Sequence, residues 1–293
     1  PENEQQDERQ VQIIKEYFAQ SEKPIKVLVE VPKERLGRIT ILRELIPYLQ
    51  STKPKNISWK NIETRQVASA AIFMFGIFPP PHAFDSEYCI DYATIEGNEV
   101  PFRFLTFRHL KEEFERQFSF LNHVKQEYTA HEQGRLYSRP GEQTVEAIFD
   151  ESLDHFQEER DALLKSLTHY GIKEEDTIVR KAIELWDSDD DKSRKILFNK
   201  VMDPAVRLFD LHAFHDILST KEDVILAAGD WHVTSIYTML MQAGYQYRSI
   251  KRDPQGKVLS EKEFYQFFNP QLRLIPSLLL KICSGLRNSC TIL

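Results

Sequence analysis

Two short apolar runs, KVLVEV at 26–31 and DVILAA at 223–228, place the strongest limit on how the chain can fold. Each run is rich in β-branched and aliphatic residues, as in strands of a parallel sheet that is covered by helices on both faces. Proline bounds the first run at Pro24 and Pro32. The second run leads into a helical pattern at 233–243 that Gly244 ends. Both runs therefore predict buried strands linked through helices.

The rest of the chain alternates in the same way. Periodicity predicts helices at 10–20, 36–49, 65–75, 110–130, 144–170, 193–201 and 204–218, a loop at 132–143, and strands at 56–63 and 245–251. We therefore predict an α/β fold with a mostly parallel central sheet flanked by helices, and a helical insertion or cap in the middle of the chain. The expected divisions are 1–100 and 204–270 for the two parts of the α/β core, 101–203 for the insertion, and 271–293 for a C-terminal tail.

Composition narrows the classes of function. The formal net charge is −7, so a broad nucleic-acid-binding surface is not expected. The three cysteines lack the CxxC spacing of a zinc site and favour a reducing compartment. Neither an apolar run of membrane-spanning length nor a signal peptide is present in the sequence, so a cytoplasmic location is expected.

The candidate site lies at the predicted strand ends, because parallel sheets bind ligands where their strands end at the carboxyl edge. Glu30 follows one apolar run, and His232 closes VILAAGDWH after the other. Together they can hold a divalent metal, or serve as a base and an orienting group on a water molecule. Gly229 is expected to allow a tight turn, and the helix that follows it to favour an anion. Two simpler interpretations stay open: His232 as a cap or surface residue, and Glu30 in a salt bridge with Arg65.

Other polar clusters favour structural roles. Arg207 and Asp210 lie three residues apart on a predicted helix, which indicates an ion pair. His212 and His215 share a helix face without the HExxH pattern of a zinc site, and we interpret them as structural. The acidic run at 187–191 lacks the glycine and glutamate of a calcium loop and is typical of a helix N-terminus. No P-loop, GxGxxG or GxSxG pattern is present.

The order of these motifs resembles the superfamily of Tiki and TraB proteins, haem-binding uptake proteins and erythromycin esterases. The resemblance is carried by LVEVP, the helix RLFDLHAFHDIL, and AGDWH followed by TSIYTMLMQAGY. It implies a peptidase or esterase in which His232 and Glu30 hold a water molecule, with or without a divalent metal. Arg65 then belongs to the catalytic group, and Gly229, Asp230 and Asp210 support it. Those families also carry an earlier Gly-x-x-His type of motif, which residues 1–10 do not contain.

That difference keeps a second interpretation open. The chain is then a non-catalytic binding or effector module with an incomplete site, and its helical middle presents a surface to a protein partner.

The sequence ends in CTIL, a Cys-a-a-X pattern whose last residue favours geranylgeranylation of Cys290. Cys283 is a candidate second lipidation site, since one prenyl chain holds a protein only marginally. The pattern predicts peripheral association with a membrane surface, which is a host membrane if the source is an intracellular bacterium. The alternative is a chance cysteine in an element that packs on the core.

Overall fold

The structure is a computed structural model of the 293-residue chain. It describes residues 12, 15, 18, 19, 23–30, 40–52, 56–76, 92–95, 97–132, 143–188, 190–245, 247–249, 277–282 and 290–292. The helices in these ranges are α1 Thr40–Thr52, α2 Gln66–Gly76, α3 Phe107–Glu132, α4 Val145–His169, α5 Ile178–Asp187, α6 Asp191–Leu218 and α7 Asp230–Gln242. The strands are β1 Ile25–Val29, β2 Ile57–Asn61, β3 Tyr92–Ile95, β4 Asn98–Pro101, β5 Asp223–Gly229, β6 Tyr247–Ser249, β7 Ser277–Ile282 and β8 Cys290–Ile292.

The central sheet has the strand order β2-β1-β5-β7-β8-β6. β1 pairs in parallel with both β2 and β5, and β6 pairs in parallel with β8. β7 is antiparallel to its two neighbours, β5 and β8. β3 and β4 form a separate antiparallel hairpin, with Gly97 at a φ of 82° in its turn. The predicted α/β class with a mostly parallel sheet flanked by helices is confirmed.

Helices cover both faces of β1 and β5, which explains why these two strands are apolar throughout. Alternate residues of a strand point to opposite faces. Ile25, Val27 and Val29 pack with α1 on one face. Leu28 of β1 and Leu226 of β5 belong to the core on the other face, which α2 to α7 build. β2 lies at the sheet edge and is largely exposed, as its polar sequence ISWKN predicts.

Most predicted elements agree with the structure, but the region of Pro204 does not. A break was expected between helices at 193–201 and 204–218, whereas α6 runs without interruption through Pro204. Proline lacks one N–H and thereby removes one helical hydrogen bond, and burial of α6 against α2 and α4 maintains the helix. The division expected between 203 and 204 therefore falls inside one helix. α5 and the β3–β4 hairpin were not predicted.

The segment expected to be a tail contributes β7 and β8 to the sheet. Cys290 is the first residue of β8, whereas Cys283 and Leu293 lie outside the described residues. In the part of the chain that the structure describes, every helix is too short or too polar to cross a membrane.

Candidate functional site

Three parallel strands end side by side and bring the predicted site residues to one edge of the sheet. The ladder continues past the strand ends, because the Glu30 N–H donates to the Ala227 carbonyl at 2.9 Å and the Ile62 N–H donates to the Val29 carbonyl at 2.9 Å. Glu30 follows β1, Arg65 follows β2, and His232 lies in the first turn of α7 after β5. The register of the parallel strands therefore places these three residues together.

Arg65 lies at the centre of a buried charge network. Its Nη2 donates to Glu30 Oε1 at 2.7 Å and to Glu63 Oε2 at 2.7 Å, and its Nε donates to Glu63 Oε1 at 2.9 Å. The guanidinium also lies 4.3 Å from the centre of the Phe209 ring. Only 6% of Arg65 is exposed. Burial opposes the charged form, but Glu63 and then Glu30 raise the pKa of Arg65, so the cation is held firmly between two carboxylates.

His232 is bonded through both ring nitrogens. An arginine has only donors, so Nε2 accepts from Arg65 Nη1 across 3.2 Å. The proton of the neutral ring must then be on Nδ1, which donates to Asp210 Oδ1 at 2.5 Å. The same Nε2 lies 3.5 Å from Glu30 Oε1. Asp210, which the resemblance named as a supporting residue and the sequence spacing paired with Arg207, thus orients the histidine from α6.

Glu30 is the anion at the N-terminus of α7. The Gly229 N–H donates to Glu30 Oε2 at 2.8 Å, so the negative charge expected at this helix end comes from the protein itself. Burial by itself favours the neutral carboxyl, but Arg65, then His232 when its ring is protonated, and the Gly229 N–H lower the pKa of Glu30 from its usual value. Asp230 is the first residue of α7.

The chain turns directly from β5 into α7 at Gly229, as expected, but this turn does not require a glycine. Its φ is −58°, which any residue adopts. A Cβ there would lie 3.6 Å from Glu30 Oε2 and 3.7 Å from His232 Cδ2, which is ordinary contact. What matters at this position is the backbone N–H.

The residues at this edge do not fit a divalent metal shared by Glu30 and His232. Glu30 Oε1 and His232 Nε2, the two atoms that would bind the ion, both contact the Arg65 guanidinium. The cation of the site is therefore an arginine. Across the residues that the structure describes, no group of three histidine, cysteine, aspartate or glutamate side chains could hold a metal ion.

Glu113 and Gln117 of α3 support the loop and helix that carry Arg65, and neither was predicted. The Glu113 carboxylate accepts from the Val67 and Ala68 N–H groups at the start of α2, at 2.9 and 2.8 Å. Burial raises the pKa of Glu113 to about 7, although these two N–H groups oppose the shift. Gln117 Nε2 donates to the Thr64 carbonyl at 2.7 Å. Both polar residues lie on the apolar face of α3. A polar residue at a position where the helical pattern calls for an apolar one is the feature of the sequence that could have indicated them.

The remaining sequence candidates have structural partners. The expected ion pair between Arg207 and Asp210 is wrong, because Arg207 donates twice to Glu159, at 2.9 and 2.5 Å. His212 stacks on Phe120 of α3 with ring centres 5.1 Å apart. His215 Nδ1 lies 2.9 Å from the hydroxyl of Tyr128, also of α3. Asp190 accepts from the Ser193 N–H as the N-cap of α6, which confirms the acidic run as a helix N-terminus.

Fold and site together define an α/β protein with a buried Glu–Arg–His–Asp network at the carboxyl edge of its parallel strands. Comparison with protein-family models, with curated proteins and with solved structures found no significant match. The geometry of the site is thus the basis for assigning a function.

Proposed function

We propose that the chain is a hydrolase of esters or peptides in which His232 is the general base and Asp210 is its positioning residue. The observation that carries this proposal is the hydrogen bond of 2.5 Å between His232 Nδ1 and Asp210 Oδ1. It fixes the ring tautomer and leaves Nε2 as the proton acceptor at the strand edge. The resemblance to Tiki, TraB and erythromycin-esterase proteins supports the same reaction class.

The proposed reaction begins when a water molecule replaces the Arg65 contact at His232 Nε2, which at 3.2 Å is longer than the other hydrogen bonds of Arg65 and His232. Nε2 takes a proton from the water, and the hydroxide forms a bond to the carbonyl carbon of the substrate. The released Arg65 Nη1 N–H faces the negative charge on the tetrahedral intermediate. Collapse breaks the bond to the leaving alcohol or amine, which takes the proton back from His232. Glu30 and Glu63 hold Arg65 in place.

The test compares hydrolysis of p-nitrophenyl acetate and of a quenched fluorescent peptide mixture by wild type and three variants. Loss of a general base typically costs 100- to 10,000-fold, so His232→Gln is expected to fall at least about 100-fold. Asp210→Asn, which favours the wrong tautomer, is expected to lose about tenfold or more in kcat with little change in KM. His155→Gln, at an exposed position on α4, is the matched control and is expected to retain wild-type rates. Equal rates for His232→Gln and wild type would contradict the proposal.

A non-catalytic binding or effector module is the second candidate, because both oxygens of Glu30 and both nitrogens of His232 are bonded within the chain. Diethyl pyrocarbonate, which modifies accessible neutral imidazoles, separates the two candidates. If the protein is a hydrolase in which His232 Nε2 contacts water, the reagent is expected to modify His232, as detected by mass spectrometry. Added substrate is expected to slow this modification. Complete protection of His232, with His155 modified at the same time, supports the module. In that case the long helices α3 and α4 are the proposed partner surface.

A lipid anchor at Cys290 stays a prediction of the CTIL pattern. Its test is expression in eukaryotic cells, where wild type is expected in the membrane fraction and Cys290→Ser in the soluble fraction. Cys283→Ser tests the second lipidation site. If Cys290→Ser is found in the membrane fraction to the same extent as wild type, the proposed lipid anchor is contradicted.

A further inference from the structure

A pocket of about 530 Å³ opens between α6 and α7, on the Asp210 side of the site. Asp203, Arg207 and Asp210 line it from α6, and Trp231, Thr234 and Met239 line it from α7. The volume falls within the range of pockets that bind small organic molecules. Asp210 is shared with the candidate site, but Glu30, Arg65 and His232 do not line the pocket, and the proposed reaction places no substrate in it.

Trp231 lines the pocket and is largely exposed to solvent. The side chain is 77% exposed, although tryptophans are usually among the more buried residues of a protein. It lies on α7 immediately before His232, whose ring points into the buried network, so the helix turns Trp231 toward the pocket. An indole face of this kind binds cations and the faces of planar or apolar groups.

The charge of the lining is negative. Arg207 is already paired through two hydrogen bonds with Glu159, and Asp210 is bonded to His232 Nδ1. Among the described residues, no side chain or N–H donates a hydrogen bond to the exposed Asp203 carboxylate. Burial and then the nearby Glu159 raise the pKa of Asp203, and the cations of Lys200 and Arg207 oppose the shift.

We propose that this pocket binds a small organic cation, an ammonium or guanidinium group on an alkyl chain. The charged group pairs with Asp203 and lies on the face of Trp231. The alkyl chain packs on Val206 and Met239, the apolar residues of the lining. A sugar, which also stacks on tryptophan, is the main competing occupant, but it has no positive charge to pair with the Asp203 carboxylate. The inference does not depend on hydrolysis at His232.

The test is calorimetric titration of the whole chain with two cations, agmatine and n-butylamine. The uncharged compounds butan-1-ol and maltose are titrated for comparison. Agmatine is expected to bind most tightly, and its affinity is expected to fall as sodium chloride is raised. Asp203→Asn and Trp231→Ala are each expected to weaken agmatine binding at least about fivefold. The matched controls are Glu112→Gln and Phe104→Ala, at exposed positions outside the pocket, and they are expected to bind as wild type does.

Several results would overturn the proposal: no heat of binding with agmatine at tens of millimolar, equal affinity for butan-1-ol, binding of maltose without agmatine, or agmatine binding unchanged in both pocket variants. Asp203 and Trp231 are exposed, so their substitutions are expected to leave the thermal unfolding temperature near that of wild type, which is measured alongside.

Discussion

Arg65 illustrates how a buried charge depends on all of its partners. Burying an ion is costly unless it is paired and hydrogen-bonded, and Arg65 meets both conditions through Glu30 and Glu63. Arg65→Met leaves two carboxylates without their cation, so it is expected to lower the free energy of unfolding by about 3–5 kcal/mol in urea titrations. The triple variant with Glu30→Gln and Glu63→Gln is expected to recover part of that loss.

The matched control is Arg108→Met on α3, where Arg108 pairs with Glu175 at the surface. Exposed ion pairs add little to stability, so a small change is expected there. If Arg65→Met is no more destabilising than Arg108→Met, the charge network does not stabilise the fold as argued.

His212 is expected to make the stability of the protein depend on pH. Burial lowers the pKa of His212 to about 4, against the opposing effect of Asp216 and with smaller contributions from His215 and Lys60. The unfolded chain binds a proton near pH 6.5 and the folded chain does not, so stability is expected to fall as pH drops from about 6.5 to about 4. Each pKa unit of difference corresponds to about 1.4 kcal/mol.

Urea unfolding of His212→Leu and wild type at several pH values between 4.5 and 7.5 measures this contribution. The free energy of unfolding of His212→Leu is expected to increase relative to that of wild type as pH falls. His155→Leu at the surface is the control, and a parallel pH dependence for all three proteins would contradict the assignment.

At the scale of single residues, the sequence left the pairing of Glu30 with Arg65 as one of the open interpretations and gave no indication of the role of Glu63. A strand-end acid in an apolar run needs a cation, and that requirement is visible in the sequence. Whether the second carboxylate comes from Glu63 or from elsewhere depends on the path of the chain after β2, which no local pattern specifies.

At the scale of elements, the junction of β5 and α7 depends on one backbone N–H. Gly229→Ala is expected to be nearly neutral, because the φ of −58° and the contacts of 3.6 and 3.7 Å accept a methyl group. Gly229→Pro suits the same φ but removes the N–H that donates to Glu30. A hydrogen bond to a charged group contributes roughly 1.5–3 kcal/mol, so Gly229→Pro is expected to lose about that much in urea unfolding. Equal stability of the two variants would show that the N–H contributes little.

The helices show where periodicity is informative and where it is not. α3 and α4 were predicted from apolar residues at intervals of three and four, a pattern that persists through their whole length. A break was expected at Pro204 because proline has no backbone N–H to donate a helical hydrogen bond. The burial of α6 on both sides outweighs that local cost, and only the packing of distant helices reveals it.

At the scale of the whole molecule, one core joins the sheet to the helical middle. Leu28 and Leu226 of the sheet, Phe114 and Phe156 of the long helices, and Phe209 of α6 belong to the same buried cluster. The helices at 101–203, which the sequence predicts as an insertion or cap, share this core with the strands. We therefore expect the sheet and these helices to unfold together.

The measurement compares urea transitions by far-ultraviolet circular dichroism with tryptophan fluorescence. Trp59 lies on β2, Trp186 on α5 and Trp231 on α7, so single-tryptophan variants report separately on sheet and helices. Coincident midpoints are expected. A transition of Trp186 well separated from that of Trp59 would indicate that the helical middle unfolds independently.

The sequence by itself determined the α/β class, the buried strands β1 and β5, the two long helices, and the strand ends at which Glu30 and His232 lie. Those features follow from local periodicity and from the cost of burying charge, and both are encoded within short windows of residues. Tertiary structure decided that Arg65, and not a metal, lies between Glu30 and His232, and that Asp210 orients His232 rather than pairing with Arg207. It also decided that α6 continues through Pro204. Each of these outcomes depends on side chains far apart in the chain, which only the packing of the sheet and helices brings within hydrogen-bonding distance.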